Sequence, residues 1–164
     1  MDGRLRLQPQ ARADARFRQL DGGPTGHTAP VLGTRLARVL LVDDHAPLRE
    51  LMRELLEERG CEVVAEAGDG LEALEALEGL AAIENDCDIV VMDLSMPQLG
   101  GIEATQAIVH RHPGVEVVGF TTRDDPLTSA AMLEAGATRH FVKTQYRALV
   151  DHVAGWRPRD RAAS

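Results

Sequence analysis

Aromatic residues make up only 3% of this 164-residue chain, so any core must be built from Val, Leu, Ile and Ala. Cysteine is nearly absent. Cys61 and Cys87 show neither CxxC spacing nor metal-ligand partners, which excludes a disulfide framework and a structural zinc site and predicts two buried, reduced thiols. No apolar run approaches the roughly 20 residues of a membrane span. The Arg-rich start is not followed by the apolar segment of a secretory leader, so a cytoplasmic protein with no membrane contact is expected. Lysine occurs once, as Lys143, among 18 basic residues.

The net charge of −8 conceals a division. Residues 1–37 carry six Arg against three Asp, and residues 157–164 three Arg against one Asp, leaving −13 on residues 38–156. A body that acidic argues against direct nucleic-acid binding, which depends on neutralising phosphates with Lys and Arg. Residues 1–37 also hold Pro9, Gly22-Gly23-Pro24, Pro30 and Gly33 without a sustained apolar period. They read as a flexible extension with a transient helix over Ala11–Leu20, and residues 157–164 as a tail.

Between them the pattern is regular. Strand signals at Arg38–Val42, Cys61–Ala65, Asp88–Met92, Val115–Phe120 and Arg139–Val142 alternate with five helical stretches. These are Pro47–Glu58, Leu71–Leu80, Ile102–His110, a helix from Pro126 closed by Gly136, and Tyr146–Ala154. Leu48, Leu51, Met52, Leu55 and Leu56 share one helical face, as do Leu71, Leu74 and Leu77. Strands this apolar predict one domain with a parallel sheet covered by helices on both sides. Its polar site is expected beyond the carboxyl ends of the strands.

Those ends carry a distinctive set of groups. Val39–Val42 runs into Asp43-Asp44, Ile89–Met92 into Asp93, Val117–Phe120 into Thr121, and Phe141-Val142 into Lys143. Singly, an Asp is more often a turn or cap residue, Thr121 an ordinary strand end and Lys143 a surface charge. Together they suit a site for a divalent metal and a phosphoryl group. Transfer to a carboxylate needs a nucleophilic oxygen, a hard cation and donors for the equatorial oxygens. Mg²⁺ prefers oxygen ligands and keeps several waters, so a few carboxylates suffice.

The segments LVDDH at 41–45, VVMDLSMPQLGGIEAT at 90–105, VVGFTTRDD at 117–125 and AGATRHFVK at 135–143 stand in a telling order. From about Arg38 to Trp156 the chain resembles the receiver domain of two-component response regulators, most of all receivers of the NarL/FixJ type. The resemblance implies a flavodoxin-like (βα)5 fold, a doubly wound parallel five-stranded sheet in a single domain spanning 38–156. Asp93 would accept the phosphoryl group in a Mg²⁺-dependent reaction. Asp44 would ligate the metal directly and Asp43 mainly through water, with Asp93 and the backbone carbonyl of Ser95 as further ligands. Thr121 and Lys143 would each bind a phosphoryl oxygen. His140 stands where the family usually has a Tyr or Phe that swings inward on activation. Ser95 and Arg123 occupy positions that tune dephosphorylation, Thr144 stands where Pro or Asp is usual, and His45 reads as a helix-entry residue.

The implied partners are a sensor histidine kinase or phosphotransfer protein and a downstream protein target. The target would be reached through the α4–β5–α5 surface, about residues 126–155, with a homodimer through that face left open. Only eight residues follow Trp156, so a stand-alone receiver without an output domain is expected. It would not be an enzyme beyond self-phosphotransfer and slow autodephosphorylation. Two alternatives remain. One is a receiver-fold scaffold that works without phosphorylation. The other is a phosphatase of the haloacid dehalogenase type, disfavoured because the second Asp of that motif is replaced by Ser95.

Overall fold

In the computed structural model, which describes residues 35–158, the apolar runs pair side by side and helices close over both faces. The elements are β1 (Arg38–Val42), α1 (Ala46–Glu58), β2 (Glu62–Ala67), α2 (Gly70–Ala82), β3 (Ile89–Met92), α3 (Gly101–Arg111), β4 (Glu116–Thr121), α4 (Pro126–Glu134), β5 (Arg139–Val142) and α5 (Tyr146–Ala154). All pairings are parallel, in the order β2–β1–β3–β4–β5, which is the flavodoxin-like (βα)5 fold expected. The chain first builds outward to β2, then returns across β1 to add β3, β4 and β5. The direction of winding therefore switches between β1 and β3, and a crevice opens beyond their carboxyl ends. Val42 pairs with Met92 there, so Asp43 and Asp93 emerge side by side.

Strand alternation splits the core into two layers. Val39, Leu41, Ile89, Val91, Val118 and Phe120 pack with Met52 and Leu56 of α1 and Leu149 and Val153 of α5. Leu40, Val42, Val90, Met92 and Val117 pack with Leu74 and Leu77 of α2, Ile108 of α3 and Met132 of α4. As the composition requires, the core is aliphatic with few aromatics. Cys61 and Cys87 are buried and free, and burial pushes both thiols up, Cys87 to about 12, which removes thiolate reactivity. Among the described residues no helix is long and apolar enough to cross a membrane.

The structure corrects several expectations. β2 begins one residue later and runs two further than its apolar signal; as an edge strand it carries Glu62 and Glu66. β4 extends to include Thr121. Leu51 and Leu71, assigned to apolar helical faces, are 49% and 48% exposed. The apolar stripe of α1 is wider than the strip a helix can lay on a sheet: Met52 and Leu56 occupy that strip, and Leu51 is left on the flank. Asp88 lies outside β3 and closes the amino-terminal edge instead. Its carboxylate accepts the Arg38 amide at 2.9 Å and the Arg35 guanidinium at 3.0 and 3.2 Å. Ala37 is buried, and its carbonyl accepts the Glu62 amide at 2.8 Å. Residues 35–37, assigned to the extension, thus contact the domain. The rest of the extension, including Ala11–Leu20, and residues 159–164 of the tail lie outside the described residues.

Two helical glycines make opposite predictions. A Cβ on Gly101 would stand 2.0 Å from the Asp93 carbonyl oxygen, because α3 starts directly against the chain at the end of β3. A Cβ on Gly79 of α2 would meet nothing within 4 Å. In denaturant unfolding, Gly101→Ala is expected to lose about 1–3 kcal/mol or more, whereas Gly79→Ala gains about 0.5–1 kcal/mol.

Candidate functional site

Asp43 is held at four points. Its amide donates to the Ala67 carbonyl at 3.1 Å, and its carbonyl accepts Arg49 Nη1 at 2.5 Å. Oδ1 accepts the His45 amide at 2.9 Å, and Oδ2 accepts Lys143 Nζ at 2.6 Å. His45 is the N-cap residue of α1, as expected of a helix-entry position, but makes no side-chain cap bond itself. Asp93, 4% exposed, is fixed by its amide to the Val42 carbonyl at 2.9 Å, and its Oδ1 lies 3.4 Å from Lys143 Nζ. Asp44, the next residue after Asp43, is exposed. One carboxylate oxygen from each of Asp43, Asp44 and Asp93 lies within 4.8 Å of the others.

Three carboxylates around one ammonium leave the site net negative. Two unit charges 4 Å apart at an effective dielectric near 20 interact by about 4 kcal/mol, so this crowding opposes the folded state. It shows at Asp93, whose carboxyl is raised above the ordinary value by burial first and by the Asp43 charge second; Lys143 and the Leu94 amide counteract. A hard dication would relieve the repulsion, and the donor set is oxygen only, which suits Mg²⁺. Lys143 rests on Asp43 rather than standing free, with its ammonium 6.0 Å from the Phe120 ring centroid.

Thr121 is fully buried, and its hydroxyl accepts the Arg123 amide at 3.3 Å. Ser95 and Arg123 are exposed on the loops after β3 and β4. His140 sits on β5 at the edge of the sheet. It is half-buried rather than free on the surface, and its Nε2 is buried with no hydrogen-bond partner among the described residues. Opposite it in the sheet is Gly119, whose missing side chain makes the room: a Cβ there would stand 2.9 Å from His140 Cδ2 and 3.1 Å from Met132 Cε. Burial lowers the His140 pKa, against the pull of Asp124 and Asp125. Lys143–Gln145 forms a 3-10 turn, and no peptide bond among the described residues is cis, Lys143–Thr144 included.

Two contributors escaped the sequence reading. Arg49 sits one turn into α1, where an Arg looks like solvated surface. Gly101 looks like turn punctuation, yet it is what lets α3 abut Asp93. The six-residue spacing from the acid pair was the available signal for Arg49.

Comparison with known proteins gives one consistent result. Residues 39–154 match the family model of the response regulator receiver domain. Response regulator GacA of Pseudomonas viridiflava is 36% identical over 109 residues, covering 66% of this chain and 49% of that protein. Transcriptional regulatory protein DegU of Brevibacillus brevis is 33% identical, over 65% and 43% respectively. This chain spans half or less of the length of these relatives. Among solved structures, a LuxR-family two-component response regulator from Aurantimonas is 36% identical with a TM-score of 0.64, covering 77% of this chain and 91% of that one. The CheX–CheY–BeF3–Mg complex from Borrelia burgdorferi is 25% identical with a TM-score of 0.63, over 71% and 85%.

Two pH-linked predictions follow from these shifts. Asp93 titrates higher folded than unfolded, so its contribution is fully present below the ordinary carboxylate value and lost as pH rises through the folded value. At neutral pH without divalent cation, Asp93→Asn is therefore expected to raise the melting temperature by roughly 2–5 °C, with the gain vanishing near pH 4. His140 titrates lower folded than unfolded, so its contribution is present above about pH 6.5 and is lost as pH falls through the folded value. Thermal melts between about pH 7.5 and 5.5 should show a shallower acid-side loss in His140→Phe than in the wild type.

Proposed function

The chain belongs to the response regulator receiver family, and from that premise we propose that it accepts a phosphoryl group on Asp93 and signals by altered protein binding. The observation that carries this reading is the convergence of Asp43, Asp44 and Asp93 within 4.8 Å at the switch point of the sheet, with Lys143 beside them. Donor and target are both proteins: a histidine kinase or phosphotransfer protein delivers the group, and a downstream partner reads the result. The chain turns over only its own phosphoryl group and works in the cytoplasm.

Asp43, Asp44, Asp93 and the Ser95 carbonyl would hold Mg²⁺, which when bound supplies positive charge against the phosphoryl oxygens. An Asp93 carboxylate oxygen attacks phosphorus. The phosphorus–nitrogen bond of a phosphohistidine donor breaks as the oxygen–phosphorus bond forms, and the imidazole leaves with the electron pair. Lys143, whose ammonium carries three N–H donors and already lies beside Asp43 and Asp93, pairs with a phosphoryl oxygen. Thr121 turns its hydroxyl proton toward another oxygen. Water later returns the free carboxylate and inorganic phosphate, at a rate set in part by Ser95 and Arg123.

Readout follows from where Thr121 and His140 lie. Both are on strands beside α4, and His140 contacts the Gly119–Met132 region beneath it. A shift of Thr121 toward the phosphoryl group frees volume that His140 can enter, and the α4–β5–α5 surface repacks. Leu127 and Leu133 of α4 are 83% and 48% exposed, which supports a protein-binding role for that surface.

The decisive experiment uses acetyl phosphate with Mg²⁺ and intact-mass measurement. The wild type should gain about 80 Da and Asp93→Asn should gain nothing. A wild type that stays unmodified with acetyl phosphate and with a phosphorylated histidine donor contradicts the reading.

A further inference from the structure

We propose that Arg49 is a positioning residue for cation binding, fixing the backbone of Asp44 so that its carboxylate points at the metal; this rests on the metal site proposed above. Asp44 is the member of the acidic trio with least support. It is exposed, and its carboxylate makes no hydrogen bond or ion pair among the described residues. Its backbone is pinned on both sides. The peptide after it is held because the His45 amide donates to Asp43 Oδ1 at 2.9 Å. The peptide before it is held because the Asp43 carbonyl accepts Arg49 Nη1. With both flanking planes fixed, the two backbone dihedrals of Asp44 are set, and only its side-chain rotamer remains to be ordered when a cation arrives.

Arg49 is well placed to act as a clamp. It stands in the first turns of α1, where its own amide donates to the His45 carbonyl at 3.2 Å. It lines a small cavity with Leu48, Met52 and Phe120, and its Nε is buried without a partner among the described residues. A guanidinium packed in this way has little freedom to swing to solvent. Leaving Nε unpaired costs free energy, so packing and the carbonyl bond must hold the side chain there. Partners that orient metal ligands from behind typically change metal affinity by about 10–100-fold.

Charge and positioning act in opposite directions, which makes the idea testable. A cation beside three carboxylates weakens Mg²⁺ binding by simple repulsion, so deleting it for charge reasons alone would tighten binding. Mg²⁺ titration of the full chain by calorimetry should instead show Arg49→Gln binding roughly tenfold more weakly than wild type. Arg49→Lys, whose ammonium can still reach the carbonyl, should recover most of that loss. Thermal melts without cation should separate the two variants far less than the titrations do. Equal or tighter binding by Arg49→Gln overturns the proposal, as does weaker binding that merely tracks a fall in cation-free stability with no recovery in Arg49→Lys. Asp44→Asn serves as the control for the underlying site. If wild type and Asp44→Asn bind Mg²⁺ alike, the metal site itself is wrong and Arg49 has nothing to position.

Discussion

Repulsion among Asp43, Asp44 and Asp93 is the constraint around which this domain is arranged. Three carboxylates share one edge with a single ammonium, and burial and like charge together push Asp93 above its ordinary range. Such a cluster persists only where the backbone cannot relax away from it. The register of β1 against β3, the Asp93 amide on the Val42 carbonyl and the Asp43 amide on the Ala67 carbonyl supply that rigidity. Behind them stand two layers of fully buried Val, Leu and Ile. The aliphatic core therefore does more than stabilise: it keeps an unfavourable charge arrangement in place.

The two core layers also divide the labour. Lys143 lies over Phe120, which belongs to the layer under α1 and α5, and Arg49 reaches the site from the same side. His140 lies against Gly119 and Met132, toward the layer under α4. Consecutive residues of β4 thus border both regions. Gly119 accommodates the histidine, Phe120 backs the lysine, and Thr121 ends the strand beside the acids.

How much of this was legible in sequence depended on how local its cause was. Apolar runs ending in Asp43-Asp44, Asp93, Thr121 and Lys143 revealed the strands, their parallel pairing and the edge where the three acids meet Lys143, because buried parallel strands leave little choice of pattern. Element ends moved by a residue or two where an edge strand such as β2 is stabilised by pairing rather than by its own composition. Leu51 and Leu71 were misplaced because periodicity tells which face a residue shares, not how wide a strip the sheet can cover. Arg49 and Gly101 act on backbone only six and eight residues away and Gly119 on a ring across the sheet, and in each case the contact depends on how the chain turns, which residue type alone does not display. His140 needed the sheet register before its inward side could be seen.

The most direct test of the central claim is the melting temperature of the wild-type chain as a function of Mg²⁺ concentration at neutral pH. If the acidic edge is an unrelieved repulsion that a dication resolves, stability should rise with the logarithm of Mg²⁺ once the site begins to fill. A matched series in monovalent salt of equal ionic strength should rise far less. Identical curves in the two salts would contradict the account, because general screening would then explain all of the effect.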